Sequence, residues 1–433
     1  MPRVRPVQGL ARVAQNMNRR SMTPDDATRD DAMGDDDAAN AANATPRMKR
    51  TILCLLSGAR AHDAKLVEFQ KTRVLEPADD VFFAHFVRGA SSASMYGPGG
   101  VGGDVRVKDD DDDATRSRPG VRVVPLARDD AGDDASRRVP DWLSEHARAE
   151  MLDRRISFPD ALVRCVQIDS MCGKFSIEET VQAICEGEFA SDHASYRNDN
   201  WISIPRPDLI VMGCRGHGLV RRALLGSVTQ NVLNRIAVPT CFFRSTLPQI
   251  EVQPELVKQK LGGVDQRVVA IAMSGSNSSR RLVEYFVNVH IRPSDVVLLL
   301  HCSSESQKRQ KDITDADVEE NMCRAFDLVQ EFQKANPHTC GRVVRMTLEP
   351  GTGSANDVRD RTIDFLNLTD VNLAVVGRAT SSSHLRARFM SPFPQYLVTH
   401  APCPVLVWNP APVYIRSQST TSQGGEPPST SAA

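Results

Sequence analysis

One pattern is written twice along this chain. Thr51 to Leu56 is an unbroken apolar run that ends at Ser57-Gly58, and Val268 to Met273 is a second that ends at Ser274-Gly275, 217 positions later. Runs of this length, closed by turn residues, suit strands buried on both faces of a parallel sheet. The register persists: His85 and His301, each near the end of the next apolar run, lie 216 positions apart. Gly213 and Gly377, which follow Asp208–Met212 and Asn372–Val376, lie only 164 apart, so the first copy carries a surplus of 53 residues, all but one of them between its second and fourth strands.

Helical patterns fill the gaps between these runs. In the first copy they cover 61–75, 142–155 and 177–186, with strands at 51–56, 81–87, 161–168, 208–212 and 238–243. In the second, helices at 279–290, 318–334 and 354–368 alternate with strands at 268–273, 296–302, 343–348, 372–377 and 404–408. A fourth helix begins at Gly226-Ser227 in the first copy and holds Pro392 and Pro394 in its first turn in the second, so each copy reads β-α-β-α-β-α-β-α-β. Right-handed crossovers turn that order into a parallel five-stranded sheet with helices on both faces. The segments are a disordered tail over 1–46, a first domain over 47–244, a linker over 245–266, a second domain over 267–410 and a disordered tail over 411–433. Within the first domain, 89–140 reads as a solvated, disordered insertion, rich in glycine and holding five consecutive aspartates at Asp109–Asp113.

Composition narrows the partners. A formal charge of −1 gives no bulk attraction to nucleic acid or an anionic membrane, and no run reaches the roughly 18 apolar residues needed to span a bilayer. The ten cysteines include no C-x-x-C pair and no zinc-type spacing, which suits reduced, buried thiols and no metal site. Cys214 differs in lying within a glycine-rich stretch, where a redox role is the sharper alternative. Met1 to Met22 hold five arginines and no acid, but the stretch is poor in serine and an acidic run follows at Asp25–Asp37. A basic tail on a cytoplasmic protein is the expectation, with a mitochondrial or plastid transit peptide as the alternative.

The glycine-rich stretch carries the chemistry. Gly213, Gly216, Gly226 and Ser227 form the spacing G-x2-G-x9-G-S between a buried strand and a helix. Glycine lets backbone N–H groups approach an anion closely and tolerates positive φ, while a serine at a helix N-terminus adds a hydroxyl where negative charge is favoured. A Walker loop is excluded because Val228 follows Ser227 with no lysine nearby, and the glycine order does not fit a dinucleotide fingerprint.

This spacing resembles the nucleotide-binding signature of the universal stress protein family, within the adenine-nucleotide α-hydrolase-like superfamily of Rossmann-like folds, and two such domains in tandem are implied. The resemblance implies ATP, with or without Mg²⁺, as the ligand of the first domain. It assigns Gly213, Gly216, Gly226 and Ser227 to the triphosphate, Met212 and Val228 to the lining of the nucleotide, Arg215 to a position where the family often has arginine, and Phe86 to the adenine side. It also marks a departure: the first strand ends at Ser57, where nucleotide-binding members usually place an aspartate against the nucleoside.

The second copy keeps Gly377 and Ser391 but has Thr380 and Met390 where glycines are expected, and Pro392 and Pro394 remove N–H donors from the next helix's first turn. It reads as a degenerate, non-binding packing partner. Members of the family often pair through their last strands, which implies an intramolecular pseudo-dimer joined between 240–243 and 405–408; an unidentified protein partner is also expected. No catalytic motif stands out. His217, Arg221 and Arg222 read as solvated loop positions, so the expectation is regulatory nucleotide binding without turnover. The alternatives are a nucleotide-free interaction scaffold and, behind it, a slow ATP hydrolase or nucleotidyl transferase.

Overall fold

The computed structural model describes residues 49–57, 59–87, 120–124, 143–169, 176–187, 204–214, 225–244, 266–302, 314–336, 341–348, 355–378 and 392–409. The tails, the linker and most of the insertion lie outside them. In chain order the elements are β1 (Thr51–Leu56), α1 (Arg60–Arg73), β2 (Asp80–Val87), β3 (Gly120–Val124), α2 (Glu145–Ser157), β4 (Val163–Asp169), α3 (Ile177–Glu186), β5 (Leu209–Gly213), α4 (Ser227–Arg235) and β6 (Thr240–Phe243). The second half follows with β7 (Val268–Met273), α5 (Asn277–Val289), β8 (Val296–Cys302), α6 (Asp315–Lys334), β9 (Arg342–Leu348), α7 (Ala355–Leu368), β10 (Leu373–Gly377), α8 (Pro392–His400) and β11 (Val405–Trp408).

The eleven strands of the described residues join one sheet, in the order β3-β4-β2-β1-β5-β6-β11-β10-β7-β8-β9. Within each half the repeated strands are parallel, as the repeat requires. The order β4-β2-β1-β5-β6 reverses direction between β1 and β5, and β9-β8-β7-β10-β11 reverses between β7 and β10. The halves meet where β6 and β11 pair antiparallel, Phe242 opposite Val405 and Thr240 opposite Val407. That pairing buries strands that would otherwise be apolar edges: every residue of β11 and all but Phe243 of β6 are buried. Further bonds cross the seam, among them those from Arg244 Nη1 to the Thr399 carbonyl and from Asn409 Nδ2 to the Ile236 carbonyl at 3.0 Å.

One sequence expectation fails here. The insertion is not featureless, because residues 120–124 form β3, which pairs antiparallel with β4 from Gly120 opposite Asp169 to Val124 opposite Cys165. The described residues of the first half thus form six strands. The segment Val121-Arg122-Val123-Val124 has the β-branched character of a strand, and the open edge of β4 supplies the ladder partner that so short a run lacks by itself.

The core forms two layers, one on each face of the sheet. On one face Leu66 and Val67 of α1, Met151 of α2, Phe286 of α5 and Met322 of α6 pack on strand residues such as Ile52, Val211, Ile271 and Leu406. On the other, Ile184 of α3, Val232 and Leu233 of α4, Phe365 of α7 and Leu397 of α8 pack on Leu53, Met212, Phe242 and Val405. Local signals set the helix ends. A reciprocal Ser176–Glu179 capping box starts α3, and Gly187 ends it at φ +83, a left-handed conformation that favours glycine.

Candidate functional site

In open α/β sheets a ligand crevice forms beyond the carboxyl ends of the strands where the strand order reverses. In the first half that point lies between β1 and β5, which run in register with Leu55 opposite Met212. Ser57 directly follows β1 and Gly213 closes β5, so two expected site residues 156 positions apart in sequence become neighbours across one strand pair. Phe86, near the carboxyl end of β2, is half-buried and packs on the same core layer as Met212 and Val228. Met212 itself is buried in that layer. Gly226 and Ser227 are exposed at the start of α4, and Val228 is half-buried behind them. Arg215 and Gly216, with His217, Arg221 and Arg222, lie outside the described residues.

The two described glycines of the motif have different causes. Gly213 does not use a positive φ; among the described glycines only Gly187 does. Gly213 is needed because a Cβ there would fall 1.8 Å from His62 Nε2, so the imidazole of α1 occupies the side-chain space. Gly226 is unconstrained in both respects. Its φ is −62°, and the nearest atom to a Cβ built there is Thr229 Oγ1 at 4.0 Å. The fold would accept a side chain at Gly226, yet the sequence leaves it bare at an exposed helix N-terminus that has no side-chain cap. Backbone donors at that terminus face outward, as an anion site requires. The N–H of Cys214 is not among such donors, because it bonds the Phe243 carbonyl at 2.6 Å.

Ser57 stands where an aspartate was expected, but a carboxylate is close by. Asp63, 1% exposed on the first turn of α1, accepts from the Ser57 N–H at 2.8 Å and from its hydroxyl at 2.7 Å, and the Ser57 hydroxyl oxygen in turn accepts from the Ala59 N–H. Sequence reasoning passed over Asp63. The available signal was periodicity: Asp63, Leu66, Val67 and Gln70 make one buried i, i+3, i+4, i+7 stripe, and an acid on such a stripe needs a polar partner. His62, over Gly213, was passed over as well.

Cys214 is buried directly after β5, and burial pushes its thiol up to about 12 against the opposing effect of a hydrogen bond with Thr229. A thiol so placed is neutral and shielded, which removes the redox reading.

The second half lacks this chemistry. Ser274 corresponds to Ser57, but its N–H bonds the Ser279 hydroxyl at 2.9 Å, and its own hydroxyl lies 2.6 Å from Ser279 Oγ and 2.9 Å from Ser276 Oγ. Three hydroxyls replace a carboxylate. Helix α8 opens on Pro392-Phe393-Pro394, so two first-turn donors are missing. Thr380, Met390 and Ser391 lie outside the described residues. Among the described residues no group of three or more His, Cys, Asp or Glu side chains could hold a metal ion, and no helix is long and apolar enough to cross a membrane.

Comparison with known proteins follows the same lines. The model of the Universal stress protein family matches residues 205–244 and 266–409. Among solved structures, a universal stress protein from Archaeoglobus fulgidus aligns at 16% identity over 83% of this chain and 98% of its own, with a TM-score of 0.40. A putative universal stress protein from Pseudomonas aeruginosa aligns at 13% identity over 83% of this chain and 93% of its own, with a TM-score of 0.42. One from Lactobacillus plantarum aligns at 18% identity over 33% of this chain and 97% of its own, with a TM-score of 0.23. No curated protein matches in sequence. The sequence pattern of the universal stress protein family thus runs through the closing segment of the first half, residues 205–244, and through the second half, residues 266–409.

Proposed function

We propose that the first half binds ATP beyond the carboxyl ends of β1 and β5, without turnover, and that the second half is its non-binding packing partner in an intramolecular pseudo-dimer. The observation that carries this reading is Gly226: neither its backbone angle nor its surroundings require glycine, and a side chain there would stand in front of the α4 N-terminus. Ser227 adds its hydroxyl at the same place. Asp63, reaching the site through Ser57, supplies the acidic character that the end of β1 lacks. In this reading the triphosphate lies against Gly213, Gly216, Gly226 and Ser227, with Arg215 balancing its charge and Met212, Val228 and Phe86 on the nucleoside side.

Titration calorimetry of the full chain with ATP and Mg²⁺ tests the proposal. One nucleotide per chain is expected, with at least about tenfold weaker binding in Gly216→Val and in Ser227→Ala. Indistinguishable heats from the parent and both variants would leave the second reading, a nucleotide-free interaction scaffold. That reading draws on His62, whose ring already fills the space over Gly213. Formation of ADP over hours would instead revive an enzymatic role. We also place the protein in the cytoplasm, since buried free thiols such as Cys54, Cys165 and Cys241 suit a reducing compartment. Import of a reporter fused to residues 1–50 into an organelle would move it to a mitochondrion or plastid.

A further inference from the structure

The ends of α1 and α5 meet across the seam in a polar cluster that is symmetric in most of its parts. The repeat makes Arg50 equivalent to Arg267 and Asp79 equivalent to Asp295, at spacings of 217 and 216. Each arginine is gripped by the aspartate of its own half, Nε to Oδ1 at 2.8 Å for Arg50 and 2.9 Å for Arg267. Each then sends Nη1 into the other half. Arg50 donates to the Val289 carbonyl at 2.8 Å, and Arg267 to the Arg73 carbonyl at 2.5 Å.

Two positions break this symmetry. Glu76 and Arg292 are equivalent by the repeat, opposite in charge, and bonded to each other, Arg292 Nε to Glu76 Oε1 at 3.1 Å. Arg292 Nη2 also donates to the Leu75 carbonyl at 3.2 Å. Val74 and His290, the residues that cap the two helices, are likewise equivalent. His290 Nδ1 lies 2.8 Å from Arg50 Nη1, and because a guanidinium only donates, Nδ1 is the acceptor and the proton sits on Nε2, which donates to Tyr285 Oη at 2.8 Å. At the place of His290 the first half has Val74, which offers no side-chain acceptor.

We propose that this surface selects unlike halves: the face of the first half around Arg50 and Glu76 fits a second half carrying Arg292 and His290, and rejects another first half. In a pairing of two first halves Glu76 would meet Glu76, and Arg50 would meet the Val74 side chain instead of an acceptor. In a pairing of two second halves Arg292 would meet Arg292. Like charges placed face to face are a common way to exclude a wrong partner, and both side chains of the Glu76–Arg292 pair are only 22% exposed, which limits screening. The preferred occupant is therefore the second half of the same chain, and this holds whether or not the first half takes a nucleotide.

The test uses full chains carrying Glu76→Arg, Arg292→Glu, or both, with Glu76→Gln as a neutral control. Each reversal alone is expected to lower Tm by about 2–4 °C, the neutral change by less, and the double reversal to recover at least half of the loss. Unfolding the two single variants together and refolding the mixture should give dimers by light scattering, because each can find its charge complement only in the other chain. Single reversals as stable as the parent, a double reversal no more stable than the weaker single, or a mixture that refolds only to monomers would each overturn the proposal.

Discussion

Asp63 holds Ser57 twice, accepting from its backbone N–H at 2.8 Å and from its hydroxyl at 2.7 Å. One carboxylate on the first turn of α1 thereby fixes the turn that leaves β1. Replacing Asp63 with alanine leaves those donors without their charged acceptor, at a cost of about 1.5–3 kcal/mol in a urea titration. Ser57→Ala keeps the backbone bond and should lose less than Asp63→Ala. Equal losses in the two variants would mean that the hydroxyl, not the carboxylate, organises the turn.

Gly213→Ala sets a Cβ against the His62 imidazole at the carboxyl end of β5. The ring cannot stay where it is, so a destabilisation of about 1–3 kcal/mol is expected. Adding His62→Ala removes the obstacle, and the double variant should show a favourable coupling by denaturant titration. Simple addition of the two single effects would show that the contact does not account for the glycine.

At Gly226 stability and binding should move in opposite directions. Gly226→Ser supplies the side-chain cap that α4 lacks, and the helix gains a few tenths of a kcal/mol. The new hydroxyl competes for the same first-turn N–H groups that the proposed phosphate uses, so calorimetry should show ATP bound at least about tenfold more weakly. Unchanged affinity in a stabilised variant would remove α4 from the site.

Alkaline pH should weaken the fold through its buried thiols. Burial pushes Cys165, Cys185, Cys214 and Cys403 from 9.0 up to about 12. The folded chain keeps these groups protonated while the unfolded chain ionises them, so their contribution is complete below pH 9 and is lost as pH rises toward 12. The urea midpoint should fall between pH 9 and pH 10.5, and by less in a Cys214→Ala variant than in the parent. Native Cys214 should also resist alkylation at pH 8.

Much of this architecture can be read from the residues because burial on both faces leaves a strong mark. The runs at Val268–Met273 and Val296–Cys302 coincide with β7 and β8 as folded. Helix α3 runs from Ile177 to Glu186 as its pattern implies, since Ser176, Glu179 and Gly187 punctuate both ends. What resists such reading depends on distant partners. Strand β3 consists of five residues amid charges and exists through pairing with β4. The importance of Asp63 lies in its reach to Ser57 across a turn. The cause of Gly213 is a histidine roughly 150 positions earlier in the chain, which no local pattern exposes.

The antiparallel union of β6 with β11 has one more consequence. Strands of the two halves run in opposite directions, so their carboxyl ends open on opposite rims of the shared sheet. The molecule is a strut with unlike fittings at its two margins, and no small ligand can bridge them. Anything that couples the two rims has to cross the seam, by the β6–β11 ladder or by side chains such as Arg50, Arg267 and the Glu76–Arg292 pair.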